Sequence, residues 1–529
     1  MKKSMKGVLL AFLLALNGMA ASVYGQTQGI DTIGLRHIDN TAVEAPYLDF
    51  GRRVYNMKIS NDERYMLVMF RDTNKKGTTW KNKGEISMVS LADNRLLWTH
   101  AYDYRWSSPL MSRRGVLLTD TQGNVTLLDI NTGYDVWQHY FDIRQIDDSA
   151  GVVIGYDRSV FSPRLHAYSL DNGQELWSIK ASHNRNWGWD NVQRIDSTRL
   201  LVVNDDVLLF DALTGENYVY EAKTGVDDVK GLLLSGLAAF AGGVAFGAAM
   251  GGGGYYYMPV DKNVITKLYA EVIRPDSLHY FFSDRRNVVC LDSLLRPVWE
   301  QPLPSKTAAR SVLMADDSLL YMFNMGYGLR NGGQPAKMGR PFIAAFDRKD
   351  GHQLFMNMLT MKKDIVSDAM LTQRGVYMMF DDGLAYKSDL RDSTVTVVPW
   401  NQQRYGRLMA MAHTPIYINY ALKGTYEPFD FDGQNCLVQT DKGDAYVVNE
   451  HLDIWEHYNN AQLYMPVHKQ GDQVWIYRRY PQQELIAIHE LGLPELRVTI
   501  PFEQVVFGPA SAYLLSDNRI YKVELPNFR

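Results

Sequence analysis

The chain has 529 residues, 46% hydrophobic and 22% charged, with 55 basic side chains against 59 acidic and a formal net charge of −4. This is globular composition and excludes a disordered, collagenous or coiled-coil chain. The near balance of charge removes any global argument for nucleic-acid binding, and 12% aromatic residues, with 32 Tyr and 11 Trp, lean toward β-structure.

Residues 1–25 read as a secretory signal. Lys2, Lys3 and Lys6 precede the apolar run from Gly7 to Leu16, and small residues follow at Ala20, Ala21, Ser22 and Gly25. The run is too short to span a bilayer. No cysteine lies near it to carry a lipid, because the chain holds only Cys290 and Cys436. The expectation is an exported protein of the periplasm or outer cell envelope, residues 26–529, without a lipid anchor. Both cysteines sit in apolar, strand-like runs and read first as buried free thiols, with a bridge as the alternative. Thr32 to Phe50 has spare extended character ahead of the first repeat.

A repeat near forty residues follows. Gly123 to Trp137 is an apolar strand, a polar turn ending in Gly133, and a second strand ending in Trp137. Related segments end at Trp98, Trp177, Tyr220, Trp299, Phe355 and, more weakly, Trp455. Anchored on the residue after the first strand, the repeat falls at Ser90, Asp129, Ser169, Asp211, Asp292, Asp347, Lys387, Asn449, His489 and Val523. Two further strand-like runs precede each anchor. Four short strands at this period predict a β-propeller blade. The Asp-Gly turns suit tight hairpins, and the Trp column predicts packing between blades. The literal count is ten. The last repeat lacks its outer strand, which Thr32 to Phe50 is expected to supply, closing the ring.

Seven residues after the terminal aromatics, cations recur at Arg105, Arg144, Lys306 and Lys362, with Arg185 just beyond that spacing after Trp177. Equivalent repeat positions share radius and height, so these residues are candidates for a positive rim that attracts an acidic partner; solvated loop charge is the bland alternative. The loop from His183 to Asn191 carries Trp187 and Trp189, a possible glycan or peptide platform, unless Trp189 starts the next blade and packs inward.

The insertion 228–257 interrupts the repeat. Residues 231–254 carry no charge, and Gly243, Gly247 and Gly251 form a small-residue ladder. A bare apolar stretch of this length marks an interaction site, so membrane or partner insertion is expected there, with a surface loop as the alternative.

Asp129 to Trp137 fits the strand-then-Asp-x-x-Thr-Gly-x-x-x-Trp pattern fully, Asp211 to Gly215 fits its turn, and Ser169 to Trp177 keeps its Gly and Trp. On these residues the chain resembles the pyrroloquinoline-quinone (PQQ)-like repeat propellers. That resemblance implies an all-β propeller, for which eight blades are usual. Members include quinoprotein dehydrogenases and an outer-membrane assembly scaffold lipoprotein. The dehydrogenase reading implies PQQ with calcium, but no two cysteines here are adjacent, as they often are in those enzymes. No GxSxG, HExxH, P-loop or CxxC motif occurs. The reading is a non-enzymatic, cofactor-free binding scaffold with an envelope protein partner. The alternatives are a quinone-dependent dehydrogenase and a carbohydrate-binding or carbohydrate-processing propeller.

Overall fold

The repeat's strands are too apolar to face water on either side. Val152–Tyr156, Leu319–Asn324 and Gly383–Lys387 are buried at every position, so each sheet must be covered on both faces. The computed structural model describes residues 26–36, 40–105, 107–157, 164–181, 189, 191–204, 206–227, 264–330, 333–371, 375–387, 394–412, 416–419, 425–429, 435–479, 483–489, 492 and 494–525. The glycine-rich segment 231–254 lies outside them. Strands dominate, and the one α-helix among the described residues is the single turn Gln402–Tyr405.

Among the described residues most strands sort into ten four-stranded antiparallel units. In chain order they are units 1 (54–103), 2 (110–140), 3 (142–180), 4 (191–220), 5 (270–302), 6 (311–358), 7 (368–399), 8 (408–458), 9 (462–498) and 10 (504–524). Strands a to d of a unit pair in sequence. Ile416–Asn419 and Glu427–Phe429, from the a–b link of unit 8, extend unit 9 along its strand a. Unit 10 has only three strands of its own, and Ala42–Asp49 adds the fourth, with Tyr47 opposite Tyr521 and Asp49 opposite Arg519. The preceding strand, Thr27–Arg36, pairs with Ala42–Asp49 and, through Gly34 to Arg36, with strand d of unit 9. The expected N-terminal closure is thus a hairpin that joins units 9 and 10.

A hydrophobic cluster fills each junction. One joins Met69, Ile86 and Met88 of unit 1 to Val116 and Leu128 of unit 2, and another joins Tyr513, Leu515 and Ile520 of unit 10 to Met66, Val68 and Val89 of unit 1. The succession of clusters returns to its start, so the sheets circle a common axis and none is left with an uncovered face.

The Trp column fills these junctions by one geometry. Trp98 donates its Nε1–H to the Ile130 carbonyl of the next unit at 2.9 Å, and its ring lies under Gly133, where a Cβ would sit 2.7 Å from Trp98 Cγ. Trp137 repeats this with Leu170 (3.2 Å) and Gly173. Trp177 does so with Ala212 and Gly215, and Trp299 with Arg348 and Gly351. Gly133 and Gly173 have φ of 70° and 71°. The turn therefore needs glycine twice over: for its left-handed backbone and for the indole beneath it. The four indoles are 8–9% exposed, and each satisfies its only polar atom, as a buried Trp must.

Where the aromatic spacing drifts, the dock is lost. The docking Trp follows a bulged residue: Trp137 pairs with Leu127 and Val136 is the bulge. In unit 8 the bulge is Trp455 itself, so Glu456 takes the docking register and Trp455 is 70% exposed. Unit 4 has no bulge, which puts Tyr218 in that register. Tyr220 lies two residues on, its hydroxyl 3.1 Å from Glu300. The anchor Val523 is also one residue short: Glu524 pairs with Ser511 as Asp129 pairs with Gly115. A one-residue slip exchanges the faces of a strand, and periodicity alone does not reveal it.

Candidate interaction face

Antiparallel order fixes which links share an end of the ring. The a–b and c–d links lie at one end, and the b–c and d–a links at the other. The c–d turns are short and self-satisfied: Asp129 Oδ1 accepts from the amides of Asn131 (3.0 Å) and Thr132 (2.8 Å) and from the Thr132 hydroxyl (2.9 Å). Burial pushes the Asp129 carboxyl up, but these bonds outweigh it and hold it below the usual carboxylate range. The a–b links are short as well, except in unit 8, where residues 412–435 carry Ile416–Asn419 and Glu427–Phe429. The b–c and d–a end is the more elaborated and carries more of the long links. It carries a b–c loop between Thr73 and Trp80 in unit 1, the link 221–269 between units 4 and 5, and a hairpin within unit 6. Loops of this kind on a rigid scaffold are where binding resides.

Two constructions stand out on this face. In unit 1, Trp80 packs edge-on against Tyr55 at 4.9 Å, and Tyr55 against Tyr104 at 5.8 Å. The Arg71 guanidinium lies 4.7 Å from the Tyr55 ring centre and 5.0 Å from that of Tyr104, and Arg53 lies 4.9 Å from Trp80. Burial pushes the Tyr102 hydroxyl up to about 12 and raises that of Tyr104 as well, so both stay neutral donors beside these cations. Stacked guanidinium and aromatic groups suit protein interfaces.

The second construction is a stem around the insertion. Val226–Asp227 pairs antiparallel with Val264–Ile265, and Thr266 bridges Leu329 of the hairpin Tyr327–Leu329/Pro335–Lys337. Ile265, Leu268, Ala309 and Ala336 seal the base. Below it, the Asn324 amide donates to the carbonyls of Thr307 (3.0 Å) and Arg340 (2.8 Å). The insertion therefore leaves and rejoins the ring at one place on this face.

The residues singled out from sequence divide three ways. Arg105, Lys306 and Lys362 lie in d–a links, and Arg144 near the start of strand a in unit 3, so all four belong to the elaborated end. Lys306 and Lys362 are exposed, Arg105 sits 3.5 Å from Asp103, and Arg144 lies 5.8 Å from the Tyr156 ring centre. Trp189 packs inward at the junction of units 3 and 4, against Phe210 and with Nε1 3.4 Å from the Tyr156 hydroxyl; it adopts the core position rather than a platform. Arg185, Trp187, Gly243, Gly247 and Gly251 lie outside the described residues. Cys290 and Cys436 are both buried and free. Sequence reasoning missed Tyr55, Arg71, Trp80 and Tyr104, which gather from four strand ends. Among the described residues no three His, Cys, Asp or Glu side chains converge on a metal position.

Residues 75–240 match the family model described as outer membrane protein assembly factor BamB. This part of the chain is built of PQQ-like propeller repeats. No curated protein matches the chain. Solved structures similar to it include BamB from Moraxella catarrhalis, at 13% identity and a TM-score of 0.31 over 74% of this chain and 96% of that one. Another is the C-terminal WD40 domain of Sif2, at 9% identity and 0.32 over 85% and 96%. The PQQ-like stretch includes the Trp docks of units 1 to 3 and the b–c loop that carries Trp80.

Proposed function

We propose that the chain is an exported scaffold of the cell envelope that works by binding a protein partner, without a cofactor, through the b–c and d–a end of the ring. The Trp80–Tyr55–Arg71 cluster and the stem at 226–265, together with three long links on that end, carry the reading. The match of residues 75–240 to the BamB model supports an assembly scaffold over an enzyme. The exposed cations Arg105, Lys306 and Lys362 favour a partner surface with acidic groups. The uncharged segment 231–254, rooted on the same end, adds membrane or partner contact. Photo-crosslinking side chains at Trp80 and Lys306 are expected to capture envelope protein, while one at Tyr134, in a c–d turn, captures none. Equal capture from both ends, or none from either, overturns the reading. Deleting residues 231–254 is expected to release the chain from the membrane fraction with its melting temperature kept.

A further inference from the structure

The junction where the ring closes, between units 10 and 1, is built like the Trp docks but holds no indole. The Trp98 dock is lined on the unit 2 side by Val116, Ile130 and Gly133. By strand register their counterparts in unit 1 are Met66, Leu91 and Asn94. Asn94 keeps the left-handed backbone of the turn, with φ of 52°. On the unit 10 side, extending the Tyr47–Tyr521 register by one residue puts Pro46 opposite Lys522, where units 1, 2, 3 and 5 place their Trp. Proline cannot fill that space. A cavity of about 270 Å³ remains, lined by Met66, Leu91 and Asn94 across from Pro46, Ile520 and Lys522. Among the described residues nothing donates to the Leu91 carbonyl, the counterpart of the acceptor that Trp98 finds at Ile130.

We propose that this cavity is a dock for a tryptophan side chain presented by an extended segment of a partner protein. Four filled copies of the same walls in this chain show that they take an indole and where its N–H goes. The strand that rims the cavity, through Gln28, Gly29 and Ile30, supplies the rest. Its Thr27–Asp31 portion pairs with Ala42–Asp49 on one edge and with no described strand on the other, and Ile30 is 68% exposed. A free strand edge accepts an incoming backbone, and the pocket beside it selects the side chain. Asn94 and Leu91 belong to a c–d turn, so the dock is remote from the face proposed above and stands or falls separately.

The test uses the full chain with labelled methionine methyl groups and N-acetyl-tryptophanamide as the probe, the Met66 signal being assigned with Met66→Leu. A saturable shift of the Met66 methyl is expected, with none from N-acetyl-leucinamide. Pro46→Trp is expected to reproduce the shift without probe, abolish the response and raise the melting temperature. Should that variant not fold, Lys522→Trp fills the cavity from the adjoining strand and is expected to abolish the response too. No Met66 shift up to the probe's solubility, an equal shift from the leucine probe, or a response that survives filling overturns the proposal. Self-association of the wild-type chain that Trp455→Ala abolishes would make the occupant a second copy and overturn the partner assignment.

Discussion

The junction of units 1 and 2 and the junction of units 10 and 1 solve one problem by different means. The first is held by an indole that reaches under the neighbouring turn, with His100 Nε2 donating to the Gly133 carbonyl at 2.7 Å beside it. The second has no indole and is laced by polar groups. Glu63 Oε1 accepts from the amides of Ala510 (2.7 Å) and Ser511 (3.2 Å). The Gln504 side chain bonds both the amide and the carbonyl of Met57 at 3.2 Å. Within unit 10, Asp49 of the borrowed strand takes Asn518 at 2.6 Å and Arg519 at 3.0 Å, which ties the N-terminal segment to the last repeat. An indole contributes area and one directed bond, whereas the closure spreads its hold over several exposed and half-buried bonds, each worth about 1 kcal/mol. The ring can therefore leave one dock unfilled.

The contrast can be broken from either side. Trp137→Ala should have the largest effect, about 3–5 kcal/mol by denaturant titration, because it empties a packed junction and strands the Leu170 carbonyl. Glu63→Ala should cost less, about 1–3 kcal/mol, by orphaning two amides at the closure. Acid should sharpen the difference further. The turn above the Trp98 dock is held by Asp129, whose folded pKa is depressed, while the closure turn begins with Ser90. A depressed carboxylate contributes stability that is full above its unfolded value of about 3.9 and is lost as pH falls through the folded value. Asp129→Asn should thus lower the melting temperature near neutral pH, and that loss should shrink as pH falls below 4. A loss that stays constant with pH would assign the effect to shape alone. Trp455→Ala should be smallest, within about 0.5 kcal/mol, although its sequence context resembles that of Trp137.

The pair Trp137 and Trp455 shows how far the sequence can be read. Both close an apolar strand after an Asp- or Asn-led turn, and that period suffices for the propeller, the inward Trp column and the strand borrowed from the N-terminus. The period does not report the bulge, which decides whether the indole points at the next sheet or at water. The candidate face was legible only in part. Arg105, Lys306 and Lys362 follow from spacing, since equal offsets in a cyclic repeat reach the same end. Tyr55, Arg71, Trp80 and Tyr104 do not, because they come from four segments with no shared offset and meet only when unit 1 folds.

The hairpin at 27–49 also sets the order in which the molecule can be completed. Its strands find their partners at 494–498 and 519–524, nearly the whole chain away. A ribosome therefore releases the first strands long before it makes what they bind. Until then two bare sheet edges persist, one at each end of an open arc, and pairings this distant in sequence form slowly. For this molecule the hazardous interval is the wait for its own tail, and anything that shields Ala42–Asp49 during that wait would act as its chaperone.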